Sequence, residues 1–204
     1  MSKGSGLNVR YLRDIKIANR RFQYLAKYVK GNKILDVGCQ DANILNFIKK
    51  SVDYTGINRA ENKELRKDGV NFVVMDVCKK KIPFPDKTFD TVIMGEIIEH
   101  LENPIFALKE VKRVLKSGGT LVGSTANAFN LQNFLISSFS KAGGGDHIYA
   151  FREEELENLL RTAGFKKVKV EKICSRIPLT EINLPDRGIF KILSTFYLFI
   201  CKKS

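Results

Sequence analysis

The run Lys33-Ile-Leu-Asp-Val37, closed by Gly38, limits most strongly what this chain can become. An almost unbroken apolar run bounded by glycine reads as a strand buried on both faces, and such strands belong to parallel sheets covered by helices. Further short β-type runs follow at Asp53 to Ile57, Val70 to Met75, Thr91 to Met94 and Thr120 to Ser124. Segments of helical period alternate with them: Val9 to Val29, Asp41 to Lys50, Glu61 to Lys67, Pro104 to Leu115 and Arg152 to Ala163. Phe165 to Ile173 and Phe196 to Cys201 read as the last two strands. Strands alternating with helices at this spacing imply right-handed βαβ units, hence one α/β domain over residues 1–204 with a doubly wound, mostly parallel sheet.

Two segments stand outside that rhythm. Residues 1–32 form a helical cap, and residues 127–150 form a long connection with three consecutive glycines, Gly143 to Gly145. Ligands of an open α/β sheet sit beyond the carboxyl ends of its strands, where the second segment begins. Both segments are therefore expected to cover a substrate.

Composition narrows the class. At 204 residues, 44% hydrophobic and 28% charged, the chain is globular and long enough to bury a full core without disulfides. Cys39, Cys78, Cys174 and Cys201 form no CxxC pair, which argues against a zinc ribbon and fits a reducing, cytoplasmic setting. The most apolar stretch, Gly188 to Cys201, is 14 residues long and includes Lys191, too short to span a bilayer; no transmembrane segment is expected. The net charge of +13 is uneven: residues 1–33 contribute +8, residues 161–204 contribute +7, and residues 34–160 are slightly acidic. Basic ends suit an anionic partner, RNA or a lipid surface, or else are solvated lysine on helix faces.

The glycine turn after the first strand brings backbone close to a ligand, but several nucleotide binders share such a turn. Six blocks narrow the field: ILDVGC at 34–39, YTGIN at 54–58, NFVVMDV at 71–77, IPFPDKTFDTVIMGEIIEHLENP at 82–104, VLKSGGTLVGSTAN at 114–127 and FREEELENLLRTAGF at 151–165. In order and spacing they resemble the class I S-adenosylmethionine-dependent methyltransferases of the small-molecule or ubiquinone type. The resemblance implies a Rossmann-like, seven-stranded sheet with an antiparallel last strand. It also implies S-adenosylmethionine as cofactor and S-adenosylhomocysteine as product.

The resemblance assigns roles residue by residue. Asp36 organises the first turn and the ligand's ammonium, and Gly38 and Cys39 pass close to its methionine part. Asp76 takes the adenine amino group and the Val77 amide reaches the ring edge, while Gly95 and Glu96 line the methionine side. The chain departs from the family where Gln40 and Ala42 replace turn glycines, and where Asn58 replaces the acid that binds the ribose hydroxyls. A neutral acceptor makes a weaker hydrogen bond than a carboxylate by roughly 1 kcal/mol, so Asn58→Asp is expected to leave cofactor affinity unchanged or tighten it.

The only two histidines, His100 and His147, fall on the side where an acceptor enters, and Glu96, Glu99 and His100 share a face if their segment is helical. Three readings stay open. One histidine is a general base, the set Glu96, Glu99, His100 and His147 holds a divalent cation, or the EIIEHL segment is a helix cap with packing residues. His100 and His147 are taken as the catalytic candidates, with no metal assigned. The set is similar to that of the metal-dependent small-RNA 2′-O-methyltransferases and of ubiquinone-pathway O-methyltransferases. The expected acceptor is a hydroxyl on a small molecule or glycan, with an RNA methyltransferase or a non-catalytic binding module as alternatives; the oligomeric state is open.

Overall fold

The computed structural model describes residues 6–63, 70–130, 147–176 and 182–204. Seven strands form one sheet: β1 (Lys33–Val37), β2 (Asp53–Asn58), β3 (Asn71–Val74), β4 (Phe89–Gly95), β5 (Leu115–Ala126), β6 (Lys167–Ser175) and β7 (Ser194–Lys202). Their order is β3-β2-β1-β4-β5-β7-β6, with β1 to β5 parallel and β7 antiparallel to both β5 and β6. The chain therefore winds outward in one direction through β2 and β3 and in the other through β4 and β5. The switch point lies between β1 and β4, which places the ligand crevice beyond Val37 and Gly95.

Strand period two divides the core between the faces. Leu35, Val92, Met94 and Leu121 pack on one side with Leu108 and Val111 of α2 (Pro104–Val114) and Leu156 and Leu160 of α3 (Glu153–Thr162). Ile34, Ile93, Val122 and Leu198 pack on the other with Leu25 of α1 (Gly6–Ala26) and Ile44. Asn103 caps α2 by accepting the Phe106 N–H at 3.1 Å, and Pro104 occupies the first turn, where its missing N–H costs nothing. Three glutamates open α3, favourable at the positive end of the helix dipole.

One arginine fixes the loop entering β4. Arg113, on α2, donates to the carbonyls of Ile82 and Phe84 and to the carboxylates of Asp86 and Glu110. Those bonds give the IPFPDKTFD block its physical role. Asp90 at the start of β4 accepts the Asn32 and Lys33 N–H groups, which sets the entry to β1.

Two sequence expectations change. The helix expected over 41–50 is a 3-10 turn, Asn43–Phe47, because Ala42 is left-handed (φ 53°) and no side chain caps the turn. The strand expected over Thr120 to Ser124 begins already at Leu115, directly after α2; Gly118 and Gly119 lie inside it, where its register against β4 shifts. Most of the helix expected over 61–67 and the interior of the 127–150 connection lie outside the described residues. The end of α1 is tied to the sheet: Arg20 donates to the Ser175 and Leu184 carbonyls and to Asp186, and Arg21 donates to Ser124 Oγ at 3.1 Å.

Candidate active site

A cavity of about 570 Å³ opens beyond the carboxyl ends of β1, β2 and β4. Such a volume suits a cofactor-sized ligand. Gly38, Gln40, Asn58, Asp76, Val77, Glu96 and His100 all border it, so seven of the residues singled out in the sequence converge here. Asp36, Cys39 and Gly95 border a narrower space on the α1 side, together with Arg21, and Gly38 and Gln40 border both.

The first turn is built from backbone. Gly38 is left-handed (φ 79°), and a Cβ there would come within 2.9 Å of Ile97. The Gly38 and Cys39 N–H groups both donate to the Ile57 carbonyl. Gln40 keeps a left-handed conformation (φ 47°) that favours glycine, at about 1–2 kcal/mol per residue of its kind. Asn58 compensates from β2: its Oδ1 accepts the Gln40 N–H at 3.2 Å and its Nδ2 donates to the Gln40 carbonyl at 3.4 Å. Asn62 adds a bond to the same carbonyl at 3.0 Å. A carboxamide offers this backbone unit both a donor and an acceptor, which a carboxylate in its place does not. The amide at position 58 thus belongs with the non-glycine turn.

Asp36 is buried and accepts the Tyr54 hydroxyl at 2.7 Å. Burial pushes its carboxyl up to about 6, against the opposing influence of the Tyr54 hydrogen bond and the Arg21 charge. Cys39 packs against Gly56, and burial raises its thiol to about 12, so it can offer a ligand its backbone but not a thiolate. Gly95 leaves space for Arg21, whose guanidinium would lie 3.1 Å from an added Cβ.

Asp76 is already engaged. Its Oδ2 accepts from Arg59 at 2.8 Å and its Oδ1 from the Cys78 N–H at 2.9 Å. The Arg59 hydrogen bond holds the Asp76 carboxyl below its ordinary value. Arg59 also reaches Glu102, so a cation sits at the Asp76 end of the cavity. Nothing in the sequence signalled Arg59 or Arg21, because each pairs with residues remote along the chain.

Glu96, Glu99 and His100 do not share a helical face. Glu96 is left-handed (φ 55°) and precedes a 3-10 turn, Ile98–His100. Its buried Oε1 approaches Arg21 to 3.9 Å and makes no hydrogen bond. Burial, with a further push from Glu99, raises the Glu96 carboxyl above its usual range. Glu99 is 1% exposed and neither of its carboxylate oxygens has a hydrogen-bond partner. The two histidines do meet: their rings lie edge to face with centroids 4.6 Å apart. Ligand atoms of Glu99, His100 and His147 lie within 4.8 Å of one another. The Ile148 and Tyr149 N–H groups donate to the Glu99 carbonyl and hold His147 there.

Residues 10–170 match the family described as a methyltransferase domain. A demethylmenaquinone methyltransferase of Staphylococcus aureus is 34% identical over 78% of this chain and 78% of its own length. A methyltransferase of Schizosaccharomyces pombe is 36% identical over 47% of this chain, a region that spans 41% of that relative. Among solved structures, an S-adenosylmethionine-dependent methyltransferase of Thermotoga maritima superposes with a TM-score of 0.74 at 23% identity, covering 98% of this chain and 96% of its own. The chain belongs to the class I S-adenosylmethionine-dependent methyltransferases.

Proposed function

We propose that the acceptor is a small molecule with a phenol- or enol-type hydroxyl, and that His100 and His147 handle its proton. The observation that carries this reading is the imidazole pair at the cavity, with the buried Glu99 carboxylate beside it. The kinship with a protein named for demethylmenaquinone supports an acceptor of quinone type.

The cavity fits the family's cofactor. Gly38 leaves a cradle that a Cβ would close, Asp76 and Val77 border one end, and Glu96 borders the other. S-adenosylmethionine, when bound, supplies a sulfonium-activated methyl group open to direct displacement, for which positioning gives much of the rate. The chain's own contribution is proton handling. An imidazole nitrogen of His100 or His147 accepts the hydroxyl proton, and Glu99 supplies the counter-charge to the resulting imidazolium.

A second reading has its own support. The two unpartnered oxygens of buried Glu99, with two imidazoles in reach, form a ligand set suited to Zn or Mn. Glu96, turned towards Arg21, is not part of that cluster. A cation there would polarise the acceptor oxygen directly.

Methyl transfer to a panel of soluble quinols and catechols, with and without chelator, tests both readings. His147→Ala is expected to leave S-adenosylhomocysteine affinity intact and to lower kcat about 100-fold, the usual scale for a lost general base. Unchanged kcat in both His100→Ala and His147→Ala refutes the proton role. Loss of turnover on chelation, restored by Mn or Zn, selects the cation.

A further inference from the structure

Among the described residues, the large apolar side chains left exposed gather at one end of the sheet. Val74 ends β3, Phe129 follows β5, and Ile148 and Tyr149 sit on the Glu99 carbonyl beyond β4. Ile182, Ile189, Phe190 and Ile192 belong to the β6–β7 connection, which the pairing of Ser175 with Ser194 fixes at the same carboxyl end. None lies at the opposite end. A monomeric surface scatters such residues singly, whereas gathering on one rim marks an interaction surface.

The sharpest part is the 3-10 turn Gly188–Leu193, which buries none of its residues. Ile189 is 81% exposed and Ile192 65%, and Arg187 and Lys191 alternate with them. The turn borders a shallow depression shared by Phe129, Arg152 and Lys191, where Glu153, Glu154 and Glu157 are the acids. Asp186, just before the turn, is held by Arg20 and so leaves the flanking cations unopposed from that side.

We infer that this rim docks on an anionic phospholipid bilayer, with Ile189, Phe190 and Ile192 entering the headgroup region and Arg187 and Lys191 on lipid phosphates. Charge chooses the occupant. A chain of net charge +13 repels a second copy of itself, and apolar knobs alternating with cations match an anionic interface rather than a flat apolar partner. The cavity opens at the same carboxyl end of the sheet, so docking would bring the site close to an acceptor dissolved in the bilayer. That purpose rests on the quinone-type reading above; the docking itself does not.

Flotation of the full chain with phosphatidylcholine vesicles, with and without 30% phosphatidylglycerol, is the direct test. Binding is expected to the anionic vesicles, to fall with added salt, and to drop at least about tenfold in Ile189→Ser/Ile192→Ser. That variant should keep its melting temperature, its S-adenosylhomocysteine affinity and its turnover of a soluble quinol. Absence of binding to anionic vesicles overturns the inference, as does equal binding by the double variant, which would assign the attraction to diffuse charge. A concentration-dependent dimer that the double variant abolishes also overturns it, in favour of a second copy. Failure of the soluble-quinol assay with docking intact refutes the acceptor reading alone.

Discussion

Replacing Asn58 with alanine separates two jobs that the sequence could not distinguish. In one, Asn58 stands in for the family's ribose-binding acid and touches the cofactor. In the other, supported by the geometry, it clamps Gln40 in a left-handed turn through a donor and an acceptor on one carboxamide. The two bonds measure 3.2 and 3.4 Å and are partly solvated, so each contributes about 0.5 kcal/mol and their loss about 1 kcal/mol. For a chain of this size that lowers Tm by about 2–4 °C. If the turn relaxes out of its binding shape at the same cost, the dissociation constant for S-adenosylhomocysteine rises about fivefold. The discriminating measurement repeats Asn58→Ala in a Gln40→Gly background, by calorimetric titration and thermal melting. Glycine takes the left-handed conformation without a clamp, so the affinity loss should shrink to less than half. Equal losses in the two backgrounds, additive within about 0.3 kcal/mol, would refute the clamp and return Asn58 to the ligand. The clamp also removes the expectation that Asn58→Asp tightens binding. The carboxylate would keep the bond from Gln40 N–H but place an oxygen against the Gln40 carbonyl.

Asp76→Ala removes the charged acceptor proposed for the adenine amino group and should weaken S-adenosylhomocysteine by about 10- to 100-fold in calorimetry. Arg59→Ala should return the Asp76 carboxyl towards its ordinary value, visible as an upward move of its side-chain titration by NMR. Arg113→Ala strips two loop carbonyls and two carboxylates of their donor; a loss of about 3 kcal/mol, or roughly 6–12 °C in Tm, is expected. Asp36 titrates at about 6 in the folded chain against 3.8 for the free group, so folding favours its protonated form. Its contribution to stability is then full below about 3.8 and is lost as the pH rises through 6. The Tm difference between Asp36→Asn and the parent should therefore move in favour of the variant from pH 4 to pH 6 and stay level above; a difference independent of pH refutes the assignment.

What the sequence disclosed, and what it withheld, follows the range of the forces involved. β1, β2 and β4 were legible because a strand buried on both faces writes itself as an apolar run, and Gly38 because a close backbone approach needs the missing Cβ. The helix after Gly38 was misread because left-handed Gln40 and Ala42 carry no glycine to announce the turn; the residue that permits it, Asn58, lies on another strand. The same distance hid Arg21, which reaches Ser124 on β5, and Arg59, whose carboxylate partner becomes a neighbour only once β2 and β3 pair. His100 and His147 were expected on the acceptor side from the strand-end rule alone, yet no side-chain pattern encodes their contact. Two backbone N–H groups, of Ile148 and Tyr149, bring it about by bonding to the Glu99 carbonyl, which any residues but proline could do at those positions. A site assembled through backbone bonds leaves its chemistry legible in the residues and its geometry legible only in the fold.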